Sequence, residues 1–169
     1  MSTSATTATL TATAAIGLDE AAAFIWAEGE LLDRLAYKDW LPLWACGHYV
    51  IPIDRDASDP VDALNIAYDD ATMREARVKR LLSGFSMSSA PPARTVRSAS
   101  RFVVEDSAPG ALTVRCAQIL VEYKYGRTRT LAADVTYRLV RTDAGLRMAG
   151  KSILLLNSDE DLFGIGYLL

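Results

Sequence analysis

His48 is the sole histidine of the chain, and its side chain is the one whose ordinary pKa lies closest to neutrality. Placed in a cavity with an acid such as Asp39 or Asp134 to orient it, it has the chemistry of a general base. In a strand it serves equally well as a hydrogen-bonded structural residue. The two cysteines, Cys46 and Cys116, stand far apart with no C-x-x-C spacing, so a structural zinc site has no support. One histidine is too few for an iron–sulfur centre that needs two histidines and two cysteines, and too few for a two-histidine, one-carboxylate iron site. The expected state of both cysteines is a reduced, mostly buried thiol.

Two further groups have usable chemistry. Tyr68-Asp69-Asp70 precedes a helical pattern, where both acids suit N-terminal capping and the helix dipole; the functional reading is docking to a partner's arginines or histidines. Two adjacent carboxylates fall short of the roughly six oxygens of a calcium loop. Arg94, Arg97 and Arg101 lie in a strand-like run, with 97 and 101 on one face and 94 on the other, and arginines so placed supply interface ion pairs. Arg74, Arg77, Lys79 and Arg80 read as a solvated helix face.

The elements that position these residues follow from periodicity. Asp19 to Ala36 predicts a helix capped by Asp19, with Phe24, Ala27, Leu31 and Leu35 as its apolar face and Gly29 as a point of close packing. Tyr37 to Leu41 predicts a short second helix that breaks before Pro42. Cys46 to Ile53 is strand-like, with Pro52 marking an edge or bulge, and Asp54 to Asp62 is a loop. Thr72 to Glu75 has capping-box spacing, predicting a helix to Leu82 that Gly84 stops. Residues 94–105, 111–125, 128–141 and 146–157 then run at period two, separated by turn signals at Pro109-Gly110, Gly126 and Asp143-Ala144-Gly145. Helices followed by a long antiparallel meander predict an α+β domain with helices packed in the concavity of a curved sheet.

Composition bounds the function. The chain has 169 residues, of which 50% are hydrophobic and 23% charged, enough for one domain with a substantial core. A formal net charge of −3 with no basic tract argues against a nucleic-acid partner. Mean hydropathy is +0.11, yet no window is apolar enough for a membrane span. Residues 1–17, dominated at first by Ser, Thr and Ala, read as a disordered tail without a secretory pattern, leaving 18–169 as the domain and a cytoplasmic location as the expectation. The apolar stretch from Asp161 to Leu169 must cover its own sheet or pack into a neighbouring subunit, which hints at oligomerisation.

The order of several segments resembles one family. Glu30-Leu31-Leu32-Asp33 with Trp40-Leu41 comes first, then Gly47-His48-Tyr49-Val50-Ile51-Pro52. Ile66-Ala67-Tyr68-Asp69-Asp70 follows, then Arg77-Val78 with Arg80-Leu81, and Pro91-Pro92-Ala93-Arg94-Thr95 with Arg97. In this succession the chain is similar to the small (beta) subunit of Rieske-type aromatic-ring-hydroxylating dioxygenases, from about Asp19 onward. It departs from the family pattern at Cys46, Ala71 and the less basic Met148 to Ser152.

The resemblance implies a nuclear-transport-factor-2-like (cystatin-like) cone. It implies a structural subunit without iron, assembled with a large (alpha) subunit that holds a Rieske 2Fe-2S cluster and a mononuclear iron, commonly three large plus three small. Electrons come from NAD(P)H through a reductase, sometimes by way of a ferredoxin, and oxygen is added to an aromatic ring. Tyr68, Asp69, Asp70, Arg94 and Arg97 are the expected subunit contacts. Two other readings stand beside this one: a stand-alone cone-fold dehydratase, isomerase or cyclase using His48 with a carboxylate such as Asp39, and a homo-oligomeric ligand-binding protein. An open cavity where His48 meets an acid would favour the enzyme; a cone filled by side chains suits a structural subunit.

Overall fold

The computed structural model describes residues 14–56, 60–84, 89–160, 162 and 164–169. Helix α1 spans Leu18–Asp33, α2 spans Tyr37–Trp40, and a 3-10 turn covers Leu41–Leu43. Strand β1 is Tyr49–Pro52, β2 is Asn65–Asp69, and helix α3 is Ala71–Leu82. The meander follows as β3 (Arg94–Ala108), β4 (Ala111–Lys124), β5 (Arg127–Thr142) and β6 (Gly145–Leu155). The four long runs expected from periodicity are thus all present. The tail read as residues 1–17 lies outside the described residues up to 13. Beyond that it is docked: Ile16 is buried, and Arg141 donates to the carbonyls of Ala14 and Ala15.

One six-stranded sheet has the order β2-β1-β6-β5-β4-β3, antiparallel except for β1 against β6. Strands this long must twist, and breaks in register concentrate the bend. One lies between Ser100 and Val103 in β3, where Arg101 has φ +53, and another between Arg138 and Leu139 in β5. The sheet therefore wraps α1. Alternate residues of β4 and β5 face inward, with Leu112, Val114, Cys116, Leu131, Val135, Tyr137 and Leu139 in the core.

Several expectations need correction at the helices. The N-cap of α1 is Gly17, without a side-chain cap, and Asp19 sits in the first turn. The buried stripe of α1 is Ala21, Ala22, Ile25, Glu28, Gly29 and Leu32. Phe24, Leu31 and Leu35 lie only partly buried beside it, and Ala27 is exposed. Polarity hid the true stripe, because Glu28 stands at its centre. The second helix does end before Pro42, at Trp40, and Pro42 then fits the first turn of a separate 3-10 segment, where its missing N–H costs nothing. The N-cap of α3 is Asp70, whose carboxylate accepts from the Met73 N–H at 2.8 Å, not Thr72. Strand β2, which periodicity did not single out, pairs Tyr68 with Val50 and Asp69 with Tyr49.

Candidate functional site

The cone interior holds a closed polar network. Glu28, delivered by the buried stripe of α1, meets Lys151 of β6 at 2.7 Å, and both side chains are buried. Tyr137 of β5 donates to the other carboxylate oxygen at 3.0 Å, and Trp40 Nε1 donates to Oε1 at 2.8 Å. Lys151 Nζ also donates to the Leu169 carbonyl at 2.9 Å, while the Leu169 N–H donates to the Tyr49 hydroxyl at 2.9 Å. Every polar group here has a partner, which is the condition for keeping charge in a core. Burial lowers the Lys151 pKa against the pull of Glu28. Burial and the Glu28 carboxylate raise that of Tyr137, and burial raises that of Tyr49.

Tyr167, Leu168 and Leu169 fill the rest of this interior. The last three residues of the apolar terminal stretch therefore cover the chain's own core; Asp161 and Phe163 lie outside the described residues.

His48 is elsewhere. It is exposed on the outer side of the sheet, its ring stacked on Tyr68 with centroids 4.6 Å apart. No hydrogen bond or ion pair joins it to Asp39, exposed on α2, or to Asp134, whose carboxylate is engaged by Arg101 on the outer face. The general-base arrangement is not formed. Cys46 is exposed, against the expectation of burial. Cys116 is buried, and desolvation pushes its thiol up to about 11.

The motif residues divide between inside and outside. Asp69 is buried and takes a two-pronged interaction from Arg77, with Nη2 to Oδ1 at 2.8 Å. The Arg97 side chain is buried too, with Nη2 on the Leu168 carbonyl at 3.0 Å, while the Arg97 backbone N–H donates to Asp33 at 2.9 Å. Asp70 caps α3; Arg94 is exposed, its guanidinium 5.3 Å from the Tyr123 ring centroid; Tyr68 is half-buried under His48. The solvated face expected for α3 is also corrected. Arg74 is buried, donating to the carbonyls of Gly47 at 2.6 Å and Asp69 at 3.1 Å, with its guanidinium 3.9 Å from the Trp44 ring centroid. Lys79 and Arg80 are exposed as expected.

The outer face of β3 and β4 is apolar and open. Val96 pairs with Val121, Ser98 with Ile119, and Arg94 with Tyr123. Val96, Ile119, Val121 and Tyr123 are all exposed, Val96 at 69%. Period two alone marks these as outward positions, and their apolarity there was a signal the sequence reading left unused.

Comparison with known proteins agrees with this geometry. The family model described as ring hydroxylating beta subunit matches residues 27–159. No curated protein matches by sequence. The beta subunit of benzoate 1,2-dioxygenase from Burkholderia mallei superposes with a TM-score of 0.76 at 22% identity, covering 90% of this chain and 98% of that one. A naphthalene 1,2-dioxygenase chain gives 0.66 at 19% identity, covering 80% and 76%. An NTF2-like protein with a cystatin-like fold from Novosphingobium aromaticivorans gives 0.56 at 17%, covering 82% and 81%. The fold is the NTF2-like, cystatin-like cone. The chain belongs to the ring hydroxylating beta-subunit family, and that membership implies an alpha-subunit partner.

Proposed function

We propose that the chain is the non-catalytic assembly subunit of an aromatic-ring-hydroxylating dioxygenase. The observation that carries this reading is the filled cone. The interior, where a cone-fold enzyme would bring an acid or base to a substrate, is closed by the Glu28–Lys151 network and by Leu168 and Leu169. His48, the base of the rival enzyme reading, faces away from it. The oxygenase chemistry then belongs to the large subunit, with its Rieske cluster and mononuclear iron, fed from NAD(P)H through a reductase or ferredoxin. Three large plus three small subunits is the proposed assembly, in the cytoplasm.

The apolar outer face of β3 and β4 is where this reading places a subunit contact, because exposed clusters of this kind mark interaction surfaces. Arg94 lies at its edge. Tyr68 and Asp70 reach solvent at the opposite edge of the sheet, while Asp69 and Arg97 support the contact surfaces from within. The test is purification from the native host, with mass and iron measured on the intact complex. Co-elution with a larger iron–sulfur protein in fixed ratio is expected; elution as an iron-free homo-oligomer overturns the proposal.

A further inference from the structure

The tip of the β4–β5 hairpin carries positive charge that the fold itself does not use. Lys124 stands directly opposite Arg127 across the tip, and like charges in that relation repel. The nearest acid in sequence, Glu122, is buried and taken by Arg129 at 2.6 Å. Arg127 is exposed and makes no hydrogen bond or ion pair among the described residues. Arg94, on the neighbouring strand β3, is exposed too; it faces the Tyr123 ring and pairs with no carboxylate among the described residues. A local conflict of this kind is retained where a function uses it.

The aromatic residues at the tip point to a protein partner. Tyr125 is 69% exposed, and its hydroxyl donates to the Ala90 carbonyl at 3.1 Å, which fixes the ring. Lys124 Nζ lies 5.1 Å from that ring's centroid. Tyr123 is 46% exposed beside Arg94. Tyrosines and arginines exposed together have the composition of binding hot spots. Tyr123 and Arg94 also pair in register one step from Val121 and Val96, so the tip is continuous with the apolar outer face.

Charge decides what kind of partner fits. Arg94, Lys124 and Arg127 fall short of the roughly six or more phosphate contacts that hold a nucleic acid, and the chain as a whole is negative. Two copies meeting tip to tip about a two-fold axis would set cation against cation. A protein surface bearing a few carboxylates satisfies both the charge and the aromatic rings.

We propose that the β4–β5 hairpin tip, with Arg94 beside it, docks a carboxylate-bearing surface of the iron-bearing large subunit, whose acids pair with Arg94 and Arg127 while Tyr123 and Tyr125 supply the aromatic contact. This rests on the assembly-subunit reading and adds to it the charge of the partner's surface.

The test uses the complex of the full chains, its dissociation followed by size-exclusion chromatography and mass photometry at about 50 mM and about 300 mM salt. The parent complex is expected to weaken as salt rises, because exposed ion pairs are screened. Arg94→Glu combined with Arg127→Glu is expected to weaken assembly at least about tenfold at low salt and to lose most of the salt dependence. Lys79→Glu combined with Arg80→Glu changes net charge equally at exposed positions of α3, which packs beside β2 at the opposite edge of the sheet. That pair is expected to stay within about twofold of the parent. Equal weakening by the two pairs makes the effect one of net charge and overturns the proposal. So does an Arg94 and Arg127 variant that assembles like the parent, or one that loses only contacts between small subunits. A parent chain that co-elutes with no large subunit overturns the assembly-subunit reading itself, and the proposal with it. Circular dichroism checks that each variant is folded; should the double Glu variant fail, Arg94→Gln combined with Arg127→Gln is compared in its place.

Discussion

Glu28 on α1 and Lys151 on β6 form a salt bridge of 2.7 Å in the interior of the cone, with neither side chain reaching solvent. The pair ties the helix to the sheet and, through the second Lys151 bond, to Leu169. Lys151→Met leaves Glu28 charged and short of a partner, and is expected to cost about 3–5 kcal/mol. Adding Glu28→Gln removes the stranded charge, so the double variant is expected to be more stable than Lys151→Met alone. Urea unfolding followed by circular dichroism measures both; a Lys151→Met protein as stable as the parent would contradict the account.

Arg74 and Lys79 share helix α3 but have different work. Arg74→Ala removes two hydrogen bonds to buried carbonyls and the cover over Trp44, and is expected to cost about 2–3 kcal/mol. Lys79 is exposed, and Lys79→Ala is expected to change stability by less than about 0.5 kcal/mol. Paired thermal melts check the contrast.

Gly47 and Gly84 both have positive φ, +75 and +71. A Cβ on Gly47 would lie 1.9 Å from the Ala149 carbonyl oxygen, whereas one on Gly84 meets nothing within 4 Å. Gly84→Ala is expected to cost about 1–2 kcal/mol, the ordinary penalty of a left-handed conformation. Gly47→Ala must also move backbone off β6, and the expected loss exceeds that of Gly84→Ala by at least about 2 kcal/mol. Comparable unfolding midpoints for the two variants would refute the close approach.

The Cys116 thiol holds its proton in the fold up to about 11, against an ordinary value of 9.0. The unfolded chain therefore loses this proton first, and the associated stability is complete below pH 9 and fades as pH rises toward 11. Its full size is about 2–3 kcal/mol at two pH units of separation. Lys151, whose pKa is lowered by burial, works in the opposite direction. Comparing Cys116→Ala with the parent isolates the thiol: its denaturant stability is expected to fall less steeply between pH 8.5 and 10.5 (about two units). Parallel profiles would remove Cys116 as the cause.

On the outer face, Ile119→Lys places a charge among Val96, Val121 and Tyr123 without touching the core. Secondary structure and melting temperature are expected to hold within about 2–4 °C, while association with the large subunit weakens at least tenfold (about 1.4 kcal/mol). Size-exclusion chromatography of the co-expressed subunits reads this directly, and an intact complex would move the interface elsewhere.

The meander was legible because period two persisted over each long run and Pro-Gly, Gly and Asp-Ala-Gly turns separated the runs, so strands β3 to β6 follow from local chemistry alone. The same local reading gave α1 an apolar face one position away from the buried one. Nothing near Glu28 in sequence reveals Lys151, Tyr137 or Trp40 as its partners. Asp70 was recognisable as a cap from its place before α3, and the succession of short segments around it pointed to the family.

Sequence by itself thus determined the helices, the four long strands with most of their inward and outward positions, and the family, but not β2 or the slip at Arg101 that turns it to the face opposite Arg97. Only the tertiary structure decided that Asp69, Arg74 and Arg97 work inside the chain, that His48 faces outward, and that Leu168 and Leu169 close the cone. The reason is physical. Periodicity and turns depend on neighbours in sequence, whereas the burial of a charge depends on partners brought together by the curvature of the sheet.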